Sequence, residues 1–312
     1  MIDVLLLGTG GMMPLPNRWL SALLVRSGGE LALFDCGEGT QIPWRIYGWG
    51  FRRLSVICLS HWHADHVAGL PGLLHAVANA GRTEPLRIYG PPETRRVVSG
   101  LRQIAPVLPY PVEVIELEGG ESFALPGGCR ASTLWGEHHV PCLAYRVDRP
   151  RAPRFDAGRA TELRVPVRLW RKLQLGEAVR WEGGYAEPAQ VLGPPRRGIA
   201  FAYVTDTRPV PELVPFVADV DLLVCEGTYG SSDDLPKAIQ HQHMTFAEAA
   251  TLAREAGAGQ LWLTHFSPSL DAPEEFLDEA ATIFPHVTIG RSGLTTTLSF
   301  ETAFMETGER PA

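Results

Sequence analysis

Hydrophobic positions in the first third of the chain fall into short blocks at 2–7, 21–25, 31–34 and 54–59, rich in Leu, Val and Ile and separated by turn-forming residues. Blocks of that length and make-up predict strands. Residues 67–78 and 93–104 carry their apolar side chains at helical spacing, whereas 87–89, 113–117 and 130–134 return to strand character. Later in the chain, 199–204, 222–225 and 261–263 predict strands, and helices are expected near 246–256 and 273–283. Thr245 followed by Glu248 fits a capping box, which starts the helix there and leaves His243 just outside it. Strands and helices interleave, so the class is α/β or mixed. No internal repeat is evident.

Between 148 and 198 the pattern weakens into a Pro, Gly and Arg-rich stretch, too polar for a core and too long for an ordinary connection, so it is taken as an inserted arm at about 149–198. Charge sharpens that reading. The chain carries a formal charge of -7, yet the arm holds eleven Lys or Arg against five Asp or Glu, leaving the rest strongly acidic. At 312 residues, 45% hydrophobic and 20% charged, the composition is that of a globular protein of one large domain or two small ones. No apolar run reaches the ~18 residues of a membrane helix and the first residues lack the order of a signal peptide, so a cytoplasmic protein without membrane contact is expected. The five cysteines show no metal-knuckle or redox spacing and are expected to be reduced core residues.

The chemistry is concentrated after the apolar run at 54–59, which is continuous enough to be a strand buried on both faces. Ser60-His61-Trp62-His63-Ala64-Asp65-His66 follows at once. Residues two apart in an extended chain face the same way, so His61 and His63 can address one cation, while Asp65 and His66, past the turn, can address a second. Four donors do not complete two coordination spheres. His138, Asp206 and His265 each follow an apolar run in the same manner; any one alone reads as a capping or turn residue, and together with the first cluster they read as ligands.

These residues resemble the metallo-β-lactamase superfamily, whose H-x-H-x-D-H signature matches 61–66, and within it the ribonuclease Z family. The matching stretches are GTGGMMPLPNR at 8–18, LFDCGEGTQ at 33–41, HADHVAGLPGLL at 63–74, AYVTDTRP at 202–209, HMTFAEAA at 243–250 and LTHFS at 263–267. The resemblance implies a single αββα sandwich over 1–312, two mixed central sheets flanked by helices with the basic arm inserted. It implies two zinc ions, with manganese or iron also accommodated. His61, His63 and His138 would hold one, Asp65, His66 and His265 the other, and Asp206 would bridge. His138 is favoured over His139 by its spacing from Tyr145, with His139 the alternative. Asp65 would orient the attacking water or take its proton, and His243 would protonate the leaving group. The implied activity is 3′ processing of precursor tRNA by a homodimer, with Arg164, Arg168, Arg171 and Lys172 of the arm gripping phosphates.

Three positions depart from the family pattern. Ser269 stands where the family carries an arginine after its His-x-Ser, and Trp62 and Ala64 replace an aliphatic residue and glycine inside the signature. Two competing functions follow: a hydrolase of small esters, such as a cyclic nucleotide, sulfate ester or lactone, and an RNA-binding protein that has lost catalysis. Gly8-Thr9-Gly10-Gly11 reads as a tight turn rather than a phosphate cradle, Glu38 as a turn residue, and His75 and His241 as exposed histidines.

Overall fold

The computed structural model describes residues 1–300. β1 (Ile2–Gly8), β2 (Ala22–Ser27) and β3 (Glu30–Phe34) form an antiparallel run, to which β4 (Leu54–Cys58), β5 (Leu86–Gly90) and β6 (Val112–Glu116) add in parallel. The chain then builds a second sheet from β7 (Ser122–Leu125), β8 (Cys129–Trp135) and β9 (Leu143–Arg151). β10 (Val179–Trp181) and β11 (Gly184–Ala186) form a separate hairpin. β12 (Arg196–Val204), β13 (Leu222–Glu226), β14 (Leu261–Thr264) and β15 (Val287–Ile289) complete the second sheet. Finally β16 (Thr295–Leu298) returns to pair with β1, so each main sheet is mixed and seven-stranded.

The strand side chains explain why the sheets stack. Along β12, Ile199, Phe201 and Tyr203 point between the sheets, while Ala200, Ala202 and Val204 join a second core beneath the helix Phe246–Glu255. β4 does the same: Val56 and Cys58 face the inter-sheet core, and Leu54 and Ile57 pack with the helix Leu70–Asn79 on the outer side. Burial on both faces is why that strand reads as an unbroken apolar run. Phe34 meets Tyr145 and Phe201 edge-on, each at 5.6 Å between ring centres, and so ties the sheets together. The result is the αββα sandwich.

Local differences from expectation have identifiable causes. The helix expected at 67–78 is two, Ala64–Val67 and Leu70–Asn79, so Asp65 and His66 lie on a helical turn. The break falls at Gly69, where a Cβ would sit 2.1 Å from the carbonyl oxygen of Gly37. The helix expected at 93–104 is α-helical only over Thr94–Leu101 and ends in a tighter turn, Arg102–Ile104. β7, β15 and β16 are short edge strands, and the helix Gln41–Tyr47 is brief with only Pro43 and Trp44 buried, so none carried a strong periodic signal. Among the described residues no helix is long and apolar enough to cross a membrane.

Between β9 and β12 the chain forms the helices Ala157–Glu162 and Val167–Gln174 and the β10–β11 hairpin. Asp156 caps the first helix by accepting from the Arg159 amide at 2.8 Å. Ala160, Val165, Leu173, Val179, Ala186 and Val191 bury a small core of their own, spread too thinly along the sequence to show as periodicity. Arg164, Arg168, Arg171 and Lys172 are exposed there.

Candidate metal centre

β4, β8, β12 and β14 all run toward one rim, and the chain leaving each contributes a donor. His61 and His63 follow β4, His138 follows β8, Asp206 follows β12 and His265 follows β14. Two cross-links hold the sheets in register there: Tyr145 donates its hydroxyl to the Leu59 carbonyl at 2.7 Å, and the Leu143 amide donates to the Ser60 carbonyl at 2.9 Å.

The donor atoms gather in two main groups, His61, His63, His138 and Asp206 in one, Asp65, His66 and His265 in the other, and Asp206 and His265 form a third with His243; every pair inside a group lies within 4.8 Å. In the first, His61 Nε2 and His63 Nδ1 are 3.0 Å apart and His138 Nε2 lies 3.3 Å from the same His63 nitrogen. In the second, His66 Nε2 is 3.1 Å from His265 Nε2, which is 3.3 Å from Asp65 Oδ2. Asp206 divides its oxygens between them: Oδ2 lies 3.5 Å from His61 Nε2, and Oδ1 lies 3.3 Å from His66 Nε2 and 3.2 Å from His265 Nε2. Asp206 and His265 both adopt left-handed backbone, with φ of 46° and 58°. Non-glycine residues take that conformation when their surroundings require it.

Imidazole nitrogens facing one another at these separations, with carboxylates alternating among them, are a donor set suited to divalent cations. The electrostatics agree. Burial holds His61 well below the usual histidine range, and burial brings His138 down to about 4, so both are neutral donors near pH 7. His66 differs: burial opposes a charge, but Asp206, Asp35 and Asp65 hold a proton on it well above the usual range. A cation bound there competes with that proton.

A further layer of groups fixes which nitrogen faces inward. Asp35, fully buried, accepts from Tyr203 Oη at 2.9 Å and Ser60 Oγ at 2.8 Å, and its Oδ2 lies 2.8 Å from His66 Nδ1. Ser60 Oγ is 3.0 Å from His61 Nδ1, and Thr228 Oγ1 is 3.1 Å from His265 Nδ1. Gly11 is what lets His265 reach the centre, since a Cβ on it would lie 2.6 Å from the imidazole Cε1. The adjacent Met12 amide donates to Asp65 Oδ2 at 2.6 Å. The glycine run therefore shapes the site rather than merely turning the chain.

His243 stands beside this centre, its ring 5.3 Å from those of both His138 and His265. Glu226, at the end of β13 and fully buried, approaches His243 Nδ1 at 3.1 Å and also accepts from the Thr207 and Met244 amides at 2.6 and 3.0 Å and from Thr228 Oγ1 at 2.7 Å. Burial works against a charged His243, but the Glu226 carboxylate outweighs it and raises the imidazole to about 9. Arg208 clamps the same region: its guanidinium donates to the His243 carbonyl and pairs with Glu248, whose carboxylate also accepts the Thr245 amide in the capping box of the following helix.

The structure thus brings His61, His63, Asp65, His66, His138, Asp206, His265 and His243 to one place. His139 is exposed and outside both groups, and Arg164, Arg168, Arg171 and Lys172 lie on the arm. Sequence reasoning missed Glu226, Asp35, Tyr203 and the clamp by Arg208. For Asp35 the signal was present, in the LFDCG stretch. His75, His241 and Glu38 are exposed. Ser269 hydrogen-bonds Ser267, Oγ to Oγ at 2.8 Å, and Arg18 fastens their loop through the Ser267 and Asp271 carbonyls at 3.4 and 3.0 Å.

The family model described as Metallo-beta-lactamase superfamily matches residues 21–146, and the one described as Beta-lactamase superfamily domain matches 190–266. The chain is 44% identical over 301 residues to a protein named Ribonuclease Z from Lachnoclostridium phytofermentans, covering 96% of this chain and 99% of that protein. It is 46% identical over 302 residues to a Ribonuclease Z from Clostridium kluyveri, covering 96% of this chain and 100% of the relative. Among solved structures, the metallo-beta-lactamase fold protein YhfI from Bacillus subtilis superposes with a TM-score of 0.69 at 23% identity, over 95% of this chain and 98% of that one. Human tRNase Z, short form, superposes with a TM-score of 0.67 at 24% identity, over 95% of this chain and 99% of that one. These two likenesses establish the fold.

Proposed function

The chain belongs to the ribonuclease Z family, and from that premise we propose that it is an endoribonuclease that removes 3′ extensions from precursor tRNA, using two zinc ions. The observation that carries this reading is the geometry of Asp206, whose two oxygens each face a separate group of three donors. His61, His63 and His138 would hold one ion, Asp65, His66 and His265 the other, with Asp206 shared; manganese or iron would satisfy the same donors. Bound there, the ions would supply an activated water and charge neutralisation on a phosphodiester.

The remaining roles belong to the chain itself. Asp65, held by the Met12 amide, orients the attacking water or takes its proton. His243 donates from Nε2 to the departing ribose oxygen, because Glu226 occupies its Nδ1 side and favours the protonated ring. Exposed Arg164, Arg168, Arg171 and Lys172 grip phosphates at a distance from cleavage, giving affinity without base reading. The working unit in this reading is a cytoplasmic homodimer.

Incubation of the zinc- or manganese-loaded protein with a precursor tRNA tests the reading: a mature 3′ end is expected, and no cleavage at stoichiometric enzyme overturns it. Ser269 supports a second reading, a small-ester hydrolase, since its hydroxyl is engaged by Ser267 and supplies no charge to a substrate. Hydrolysis of bis-p-nitrophenyl phosphate that precursor tRNA fails to inhibit is the result that favours it.

A further inference from the structure

A groove of about 450 Å³ adjoins the metal centre, and its lining includes Pro92, Trp135, Val140 and Pro141 together with Glu118 and His138. His138 is a donor of the first group, so whatever strand is held at the centre passes the mouth of this groove. Neither lysine nor arginine lines it, and Glu118 is exposed. A carboxylate repels phosphate, and with no lysine or arginine in a lining whose other polar side chains are His138 and His139, the groove does not suit the backbone of a nucleic acid. Flat apolar faces suit a base instead: an indole and proline rings offer stacking surface that is tolerant of sequence.

Trp135 is already held for this purpose. It ends β8, and its five-membered ring lies against Gly119 so closely that a Cβ there would be 2.5 Å from Cδ1. A side chain fixed in advance loses little freedom when a base stacks on it. Glu118 adds selectivity, because a carboxylate only accepts hydrogen bonds and so pairs with the exocyclic amino group of adenine, guanine or cytosine, which uracil lacks.

We propose that this groove is a base-stacking subsite for a nucleotide flanking the scissile phosphodiester, with Trp135 as the stacking surface and Glu118 as the acceptor for the base's amino group; the proposal rests on the RNA-processing reading above.

The test uses the full-length zinc-loaded protein and a series of precursor tRNAs, each carrying one abasic ribose at a position on either side of the cleavage site. One abasic position raises KM about tenfold, equivalent to about 1.4 kcal/mol and within the range of a lost stacking contact. Trp135→Ala imposes the same rise on the intact substrate and makes that abasic position silent, Trp135→Phe retains near wild-type KM, and hydrolysis of bis-p-nitrophenyl phosphate stays unchanged. Uracil at the sensitive position costs part of the effect, and Glu118→Gln narrows the difference between bases. If Trp135→Ala also loses bis-p-nitrophenyl phosphate hydrolysis, the fold has suffered and the abasic series with the unaltered protein decides. Cleavage of every abasic substrate with unchanged KM overturns the subsite alone. Failure to cleave any precursor while bis-p-nitrophenyl phosphate is hydrolysed overturns the RNA reading and the subsite with it.

Discussion

Replacing Glu226 by glutamine removes one charge from a fully buried position and leaves the shape nearly intact, which makes it a direct probe of the proton on His243. Burial lowers the imidazole, so the rise to about 9 depends chiefly on the Glu226 carboxylate at 3.1 Å from Nδ1, with Asp206 adding to it. In the variant the imidazole is expected to fall from about 9 toward its ordinary 6.5, with Asp206 still favouring the charged ring. At pH 8, a group titrating near 9 is about nine-tenths protonated and one titrating near 6.5 about 3%, so the supply of the acid form falls by up to roughly thirtyfold. Cations bound at the centre pull both values down together, and the separation between the two proteins is therefore the quantity to measure. The assay is kcat against pH from 6 to 10 on a precursor tRNA. The alkaline limb is expected to move to lower pH in Glu226→Gln, with KM little changed.

Stability gives an independent readout of the same proton. A histidine whose value is raised in the folded state binds its proton more tightly folded than unfolded. The stabilisation is complete below 6.5 and is lost as pH rises through about 9. Melting temperature of the wild-type protein should decline over that window more steeply than that of Glu226→Gln. Superimposable alkaline limbs and parallel melting curves would refute the claim that Glu226 holds the proton on His243.

Other consequences can be checked separately. Gly11→Ala, whose Cβ would lie 2.6 Å from the His265 ring, should lower the metal bound per chain relative to the unaltered protein, from the proposed two ions toward one, by elemental analysis while circular dichroism stays native; an unchanged metal content would contradict the packing argument. Tyr203→Phe deletes a buried donor to Asp35 and is expected to cost roughly 1 to 3 kcal/mol in urea denaturation, and a cost near zero would mean that water replaces the hydroxyl. The double reversal Arg168→Glu with Lys172→Glu should weaken precursor tRNA binding and flatten the dependence of log affinity on log salt by about one to two units, without altering hydrolysis of bis-p-nitrophenyl phosphate. An unchanged salt slope would remove the arm from the RNA interface.

How far these features were legible beforehand depends on the range of the interaction behind each. His61, His63, Asp65 and His66 sit within six residues, and strand periodicity followed by a tight turn is a local property, so their cooperation could be read directly. The two-sided burial of β4 was equally visible, because a strand covered on both faces has no polar alternation to hide it. The excess of arginine in the arm is a matter of composition alone.

Other features needed the folded chain. His138 and His139 are neighbours of the same type, and only the path of the chain beyond β8 turns the first toward His63 and leaves the second exposed. Glu226 ends the run Leu222–Glu226 with nothing around it to distinguish a buried proton holder from an ordinary turn residue; its partner is 17 positions away. Asp35 gathers a histidine 31 residues distant and a tyrosine 168 distant, a convergence that no local window contains. Hydrogen bonds and charge effects act over a few ångströms of space and are indifferent to separation along the chain. The sequence by itself therefore determined the strands and the local donors, and the stacking of the two sheets decided which distant polar groups would orient and charge them.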